Sequence, residues 1–206
     1  MFEAIAEHFN RLAPTYDANP LYQLVGRAEM AAIGRLLPRE QGAVLDYGCG
    51  TGRFSLPLAA QGYDVTGYDI ASNMVAQARS KVKQLGVHAE FTDDAAAIAG
   101  RQWPLVLCMG VLDYYRDPAT LLRLVVPHLA PGGTLIVGAP NLYGPFSWGH
   151  SLICLFRLRM YMHTAAGLIK AAERLGMRAA GVTYAFPAIA PVGMTVLIAF
   201  RWAQET

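Results

Sequence analysis

Two aspartates and a glycine loop are the residues whose types and spacing point most directly to chemistry. The run AVLDY (43–47) carries Asp46 next to its end and leads straight into GCGTG, where Gly48, Gly50 and Gly52 leave alternate positions without side chains. Glycine reaches left-handed conformations and lets a main chain turn sharply against a ligand, with the amides of a following helix facing it. A second acid, Asp69, closes the next apolar run, YDVTGYD (63–69), with Ile70 beside it. A carboxylate at the tip of a second strand can accept hydrogen bonds from both vicinal hydroxyls of a ribose. The competing role for Asp69 is to cap the helix that opens near Ser72.

Spacing narrows the ligand. A dinucleotide fingerprint reads G-x-G-x-x-G and uses its third glycine for close helix packing; this loop is G-x-G-x-G and carries Arg53 where that third glycine would stand. A P-loop needs Lys followed by Ser or Thr after its last glycine, and this chain has Arg53 and Phe54 there. Phosphate is a poor fit.

The elements that must hold these residues follow from the alternation of patterns. AVLDY, YDVTGYD, VHAEFT (87–92), PLVLCM (104–109) and GTLIVGA (133–139) are short, apolar and bounded by glycine, proline or acids, as strands are. Between them, ASNMVAQARSKVKQLG and DPATLLRLVVPHLAPGG have helical spacing, the first opening on a Ser72 cap and stopping at Gly86. Strands alternating with helices predict a parallel sheet covered on both faces. After the helix predicted in TAAGLIKAAERLGM (164–177), AAGVTYAF and VGMTVLIAF follow with no helix between them, which predicts an antiparallel pair on one edge. The expected fold is α/β: a doubly wound, Rossmann-like, seven-stranded sheet, mostly parallel, in three layers. One domain is expected over 1–206. It comprises a helical lid over 1–37 broken at Pro14 and Pro20, a core over 43–139, a second lid over 140–162, and a C-terminal helix and strand pair over 163–206. Pro57 strains the scheme, because it sits about five residues into the first predicted helix, which must therefore begin late or bend.

Composition excludes several classes. Of 206 residues, 54% are hydrophobic and 16% charged, which is rich enough in apolar groups for a packed core. The net charge of +2 is scattered rather than gathered into a basic patch, so nucleic acid is not an expected partner. Cys49, Cys108 and Cys154 are widely spaced and odd in number, fitting neither a disulfide framework nor a thiolate metal site. The N-terminus carries Glu3 and Glu7 where a secretory signal would be basic, and prolines and glycines interrupt both long uncharged stretches, 124–156 and 179–200. A cytoplasmic location is expected.

The stretch VLDYGCGTGRFSLPLAAQGYDVTGYDIASNMVAQAR resembles the nucleotide half of the class I S-adenosylmethionine-dependent methyltransferases, in which an acid, a GxGxG loop and a second-strand acid recur in this order. The resemblance is close over 43–139. It implies S-adenosyl-L-methionine as cofactor, Gly48, Gly50 and Gly52 in close backbone contact with it, Asp46 on its ammonium directly or through water, and Asp69 on its ribose, with Cys49 as a merely small neighbour. It also implies that Asp94 with Ala95, in EFTDDAAAI, meets the adenine, with Asp93 as the alternative register, and that Met109 and Tyr114 stand near the sulfonium. EHFNRLAPTYDAN resembles the opening of methyltransferases acting on isoprenoid quinones and magnesium protoporphyrin, in which a Tyr-Asp pair, here Tyr16 and Asp17, closes over the cofactor.

The activity so implied is transfer of a methyl group by in-line displacement to a small hydrophobic or aromatic acceptor at oxygen, nitrogen or carbon. Positioning supplies most of such a reaction; a base is useful when the acceptor arrives protonated. Candidate bases are His163, Tyr114 and Asp113, His163 because related enzymes often carry a histidine after the fifth strand. Candidate acceptor residues are Tyr143, Phe146, Trp148, Arg159 and His163, in a segment that could equally lie on a membrane surface through Leu152, Ile153, Leu155 and Phe156. No metal is expected, since no convergent set of oxygen ligands is visible. Two alternatives stand beside this one: a non-catalytic cofactor-binding subunit of the same fold, and a nicotinamide-dependent oxidoreductase.

Overall fold

The computed structural model describes residues 2–144 and 160–203. Two helices, α1 (Phe2–Tyr16) and α2 (Pro20–Leu36), precede β1 (Ala43–Tyr47), α3 (Ser55–Ala60), β2 (Asp64–Tyr68), α4 (Ser72–Leu85) and β3 (Ala89–Thr92). Then come β4 (Trp103–Met109), α5 (Pro118–Val125), β5 (Leu129–Pro140), α6 (Ala165–Glu173), β6 (Met177–Ala185) and β7 (Thr195–Trp202). The seven strands form one sheet in the order β3-β2-β1-β4-β5-β7-β6. β1 to β5 are parallel; β7 pairs antiparallel with β5 on one side and with β6 on the other. The chain reverses its winding between β1 and β4, and the carboxyl ends of those strands are where ligands sit in sheets of this kind.

Both faces of the sheet are buried, which is why the strands read as nearly continuous apolar runs. Val44, Leu105, Leu107, Ile136 and Leu197 face α2 and α3 with Ile33, Phe54 and Leu58. Their neighbours Leu45, Val106, Cys108, Leu135, Val137, Ile198 and Phe200 face α5 and α6 with Leu121, Leu122, Leu168 and Ala172. This alternation places Asp46, one residue on from Leu45, on the α3 side. Helix starts are fixed by side chains: Asn19 accepts from Leu21 N at 3.0 Å, Asp117 from Ala119 N at 3.1 Å and Thr164 from Gly167 N at 3.0 Å. α4 ends at Gly86 in the left-handed conformation, as its sequence predicts.

Three local expectations change, and the choice left open at Pro57 falls to a late start. Pro14 does not break the first helix but lies within the last turn of α1, so the only interruption before β1 is at Pro20, the first residue of α2. Pro57 is the third residue of a late-starting α3, where its missing donor is one that a first turn leaves unpaired anyway. Ser72 is the first residue of α4 rather than its cap; the cap position is Ala71, whose amide is taken by Asp69 at 2.8 Å. The pattern read as a helix through DPATLLRLVVPHLAPGG stops at Val125, and after a single tight turn over Val126–His128 the chain is already in β5, so Leu129 pairs with Trp103.

Near the carboxyl end of β2, Gly67 stands in register with Asp46 of β1 and with Phe91 of β3, and a Cβ added there would lie 2.4 Å from Phe91 Cδ1 and 3.0 Å from Cys49 Sγ. Gly67→Ala is therefore expected to destabilise the fold by about 1–3 kcal/mol through overpacking, read as a lower urea midpoint. An unchanged midpoint would contradict the packing described.

Candidate functional site

The glycine loop folds inward on itself. Gly48 N and Cys49 N both donate to Tyr68 O, at 2.7 and 3.0 Å, and Gly52 N donates to Cys49 O at 3.0 Å. Gly50 N donates to Asp69 Oδ2 at 2.8 Å. Four amides of the loop are thus spent on the protein, so the loop lacks the row of outward donors that makes an anion cradle. Gly48, Gly50 and Gly52 all have positive φ, and at Gly48 a Cβ would lie 2.2 Å from Val111 Cγ2. The sequence pattern of the loop is therefore a steric requirement of its own folding as much as of a ligand.

Asp69 is the hub of this arrangement. Its Oδ1 accepts from Ala71 N and its Oδ2 from Gly50 N, each at 2.8 Å, joining the ends of β1 and β2 to the start of α4. Burial raises its pKa and these two amides oppose the rise. Each carboxylate oxygen keeps a further lone pair for a ligand hydroxyl. Asp46 is sealed beneath the loop with Ser55 Oγ donating to its Oδ2 at 2.5 Å, while its Oδ1 has no hydrogen-bond partner among the described residues. Burial pushes its pKa up to about 6 against the lowering bond from Ser55.

A cavity of about 300 Å³ opens above these groups, lined by Gly48, Cys49, Gly50, Asp69, Ile70 and Met109 and roofed by Phe2, Ile5, Phe9 and Tyr16 of α1. The roof is held down at two places. Asn73 donates from its backbone and its side chain to Asn10, at 2.8 and 3.1 Å. Asp17 accepts from Thr51 Oγ1 at 2.8 Å and from Lys81 Nζ at 2.5 Å, and the same Nζ reaches Thr51 O at 2.8 Å. Of the Tyr-Asp pair, Tyr16 thus faces the cavity while Asp17 fastens the turn between α1 and α2 to the glycine loop.

A second, larger cavity of about 780 Å³ adjoins the first, and Phe9, Tyr16, Arg53, Gly110 and Tyr114 line both. Its walls include Leu12, Val25, Met160 and Met194, but it also contains ionisable groups. Glu29 Oε2 pairs with Arg53 Nη2 at 3.2 Å, and Glu29 Oε1 accepts from Thr195 Oγ1 at 2.8 Å. Burial raises the pKa of Glu29 against the lowering effect of Arg53. Asp113 lies in the turn after β4 with Oδ1 buried and unpartnered among the described residues. Burial, with Glu29 adding to it, pushes its pKa up to about 7. Burial also pushes Tyr16 up to about 12.

The structure therefore brings Tyr16, Gly48, Cys49, Gly50, Asp69, Ile70, Met109 and Tyr114 to one cavity and Asp113 to its neighbour, with Asp46 beneath the loop. Other candidates lie elsewhere. Gly52 packs on Leu56 and Phe91 rather than lining the cavity. Asp94 is exposed and caps the turn that begins at Ala95, accepting from Ala96 N at 2.9 Å, and neither residue lines either cavity. Tyr143 is exposed, outside both. His163 is buried with Nε2 on Leu112 O at 3.1 Å and lines neither cavity; its backbone bridges Asn141, which pins the two ends of the 140–162 segment together. Burial lowers its pKa. Phe146, Trp148 and Arg159 lie outside the described residues, as do Cys154 and the apolar positions weighed for a membrane-surface helix.

Glu29, Arg53 and Thr195 were not among the sequence candidates. The signal for Glu29 was present: in QLVGRAEMAAIG it interrupts an apolar stripe of Val25, Ala32 and Ile33, where a lone acid needs a buried partner. Nothing local points to Arg53 as that partner; its side chain passes where a Cβ on Gly26 would lie, 2.9 Å from its Cδ. Among the described residues no group of three His, Cys, Asp or Glu side chains could hold a metal ion, and no helix is long and apolar enough to cross a membrane.

Comparison with known proteins agrees with this geometry. The family model of the methyltransferase domain matches residues 3–180. The chain is 31% identical over 188 residues to the ubiquinone biosynthesis O-methyltransferase of Escherichia coli, covering 85% of this chain and 75% of that one. Its fold is that of magnesium protoporphyrin IX methyltransferase from Synechocystis PCC 6803, solved with bound S-adenosylhomocysteine (TM-score 0.66, 22% identity, 89% of this chain and 83% of that one). It is also that of DhpI in its S-adenosylhomocysteine complex (TM-score 0.75, 19% identity, 99% and 98%). The donor set fits such a cofactor: an orphaned buried carboxylate oxygen suits an ammonium or a bridging water, and a loop with its amides turned inward suits an adenosine without phosphate. The chain belongs to the methyltransferase domain family and is an S-adenosylmethionine-dependent methyltransferase.

Proposed function

We propose that this enzyme methylates a hydroxyl group on a small lipophilic, aromatic acceptor, held in the 780 Å³ cavity beside the cofactor. The observation that carries the reading is the junction of the two cavities at Tyr16, Arg53, Gly110 and Tyr114. Around it, an apolar wall meets a few polar groups, which is the usual makeup of a site that fixes the orientation of an otherwise greasy ligand. The relative named as a ubiquinone biosynthesis O-methyltransferase supports oxygen as the methylated atom. On this reading the chain is one cytoplasmic domain, residues 1–37 are a helical lid whose α1 covers the cofactor, and residues 140–162 are the lid on the acceptor side.

S-adenosylmethionine supplies an electrophilic methyl group on a sulfonium. The chain's own residues bind, orient and exclude water: Asp69 receives the ribose hydroxyls, Asp46 the ammonium directly or through water, and Phe2, Phe9 and Tyr16 cover the ligand. Asp94 and Ala95, given to the adenine by resemblance, would need the exposed turn to close toward the cavity. Holding the acceptor oxygen in line with the methyl group is then most of the catalysis.

Three outcomes test this reading. Asp69→Ala is expected to weaken S-adenosylhomocysteine binding by about 1–3 kcal/mol, the loss of hydrogen bonds to a charged group, and calorimetry showing wild-type affinity would count against it. Asp46 has its pKa raised to about 6, so it is ionised above that pH and neutral below. An ammonium prefers the ionised form, so cofactor affinity should hold between pH 7 and 8 and fall as pH drops through about 6. Asp46→Asn should bind weakly and without that dependence; a wild-type affinity flat down to pH 5 excludes the pairing. Finally, incubation with methyl-labelled cofactor and a panel of hexylphenol, hexylcatechol and hexylaniline should label the two hydroxyl acceptors. Labelling of the aniline alone would overturn the assignment to oxygen.

A further inference from the structure

We propose that Asp113 is the general base of the transfer, taking the proton of the acceptor hydroxyl as that oxygen receives the methyl group. The inference rests on the acceptor reading above and deepens it. Asp113 lines the acceptor cavity, three residues beyond Gly110 and one before Tyr114, which both stand at the junction with the cofactor cavity. Its Oδ1 is shut off from water with no hydrogen-bond partner among the described residues. The residue as a whole is half-buried and its carboxyl keeps a bond from its own amide, so the unpaired oxygen is the one whose burial favours taking a proton.

The main chain around it is fixed on both sides. Tyr161 N donates to Asp113 O at 2.7 Å, and His163 Nε2 holds Leu112 O at 3.1 Å. The histidine that the sequence offered as a base is thereby a positioning residue for the turn that carries the aspartate.

Charge supplies the second argument. Two acids, Glu29 and Asp113, share the cavity with Arg53, and Arg53 is already paired with Glu29 at 3.2 Å. Asp113 is left without a cation of its own among the described residues. The groups that act on it electrostatically are Tyr16 of α1, Glu29 of α2, Arg53 after the glycine loop and Cys108 of β4, and the other titratable groups lining its cavity are His8, Tyr22 and its neighbour Tyr114. Burial and the charge of Glu29 raise the aspartate's pKa to about 7 while a bond from its own amide and, less, Arg53 restrain the rise, so it is a base near neutral pH rather than a spent carboxylate.

The step balances. Asp113 removes the hydroxyl proton as a lone pair of the oxygen forms the bond to carbon, and the electron pair of the broken carbon–sulfur bond stays on sulfur. The positive charge of the sulfonium is discharged, the carboxylate becomes a neutral acid, and the proton later returns to solvent.

The test compares wild type, Asp113→Asn and Glu29→Gln with hexylcatechol, by pH profile, by calorimetry of S-adenosylhomocysteine binding and by infrared difference titration of the carboxyl band. Wild-type kcat/KM should rise with pH through about 7 and a carboxyl should titrate there. In Asp113→Asn the band should vanish and kcat fall by between about 10²- and 10⁴-fold, with cofactor affinity within about twofold of wild type. Glu29→Gln removes a negative neighbour, so the rising limb should move to lower pH; it also carries the test should Asp113→Asn fail to fold. Activity within threefold of wild type in Asp113→Asn, or an unmoved limb in Glu29→Gln, overturns the proposal while leaving the acceptor reading intact. A wild-type enzyme that methylates no hydroxyl in the panel overturns both.

Discussion

The paired hydrogen bonds of Asp69 to Gly50 N and Ala71 N are the constraint on which the rest of this structure depends. One carboxylate ties the end of β2 to the glycine loop after β1 and to the first turn of α4. It sets the loop's shape, and through that shape the bottom of the cofactor cavity. Because the Gly48 and Cys49 amides are drawn to Tyr68 O at the same time, the loop has its polar backbone turned toward the protein. The ligand side is left to side-chain carboxylates rather than to backbone donors, an arrangement that suits a nucleoside with hydroxyls and an ammonium better than a pyrophosphate.

The placing of the two N-terminal helices follows from the same loop. Thr51, between Gly50 and Gly52, donates its hydroxyl to Asp17 and accepts from Lys81 at its carbonyl, so the turn joining α1 and α2 is docked on the glycine loop itself. From there α1 runs back across the cavity with Phe9 and Tyr16, and α2 descends to put Glu29 against Arg53, the residue that follows Gly52. Both cavities and the helices that cover them thus meet at one six-residue stretch, 48–53. That economy accounts for a buried ion pair next to the cleft: Arg53 occupies the position of a fingerprint's third glycine and is accommodated because Gly26 has no side chain.

Much of this was legible before the fold was known. Seven strands, the antiparallel arrangement of the last two and the stop of α4 at Gly86 follow from periodicity and turn chemistry alone, because apolar strands buried on both faces and a left-handed glycine each leave a local mark. The differences came where local rules meet tertiary context. Pro14 was read as a helix break and Pro57 as a strain that a late start or a bend would relieve, yet each falls in a terminal turn, Pro14 in the last of α1 and Pro57 in the first of a late-starting α3. Asp69, not Ser72, takes the amide at the start of α4, because the strand end that binds the loop also delivers a carboxylate to that helix. His163 looked like a base by position in the chain, but a register bridge to Asn141 turns its ring onto Leu112 O. The Glu29–Arg53 pair joins residues 24 positions apart whose meeting depends on how α2 crosses the loop, and no pattern local to either reveals it.

The central claim is that a loop with its amides spent inward, beside Asp69, binds an adenosine lacking phosphate. A competition titration of the wild-type protein with S-adenosylhomocysteine and NAD tests it most directly. The account predicts saturable one-to-one binding of S-adenosylhomocysteine that NAD in large excess leaves undisturbed. Displacement by NAD, or tighter binding of NAD than of S-adenosylhomocysteine, would contradict it.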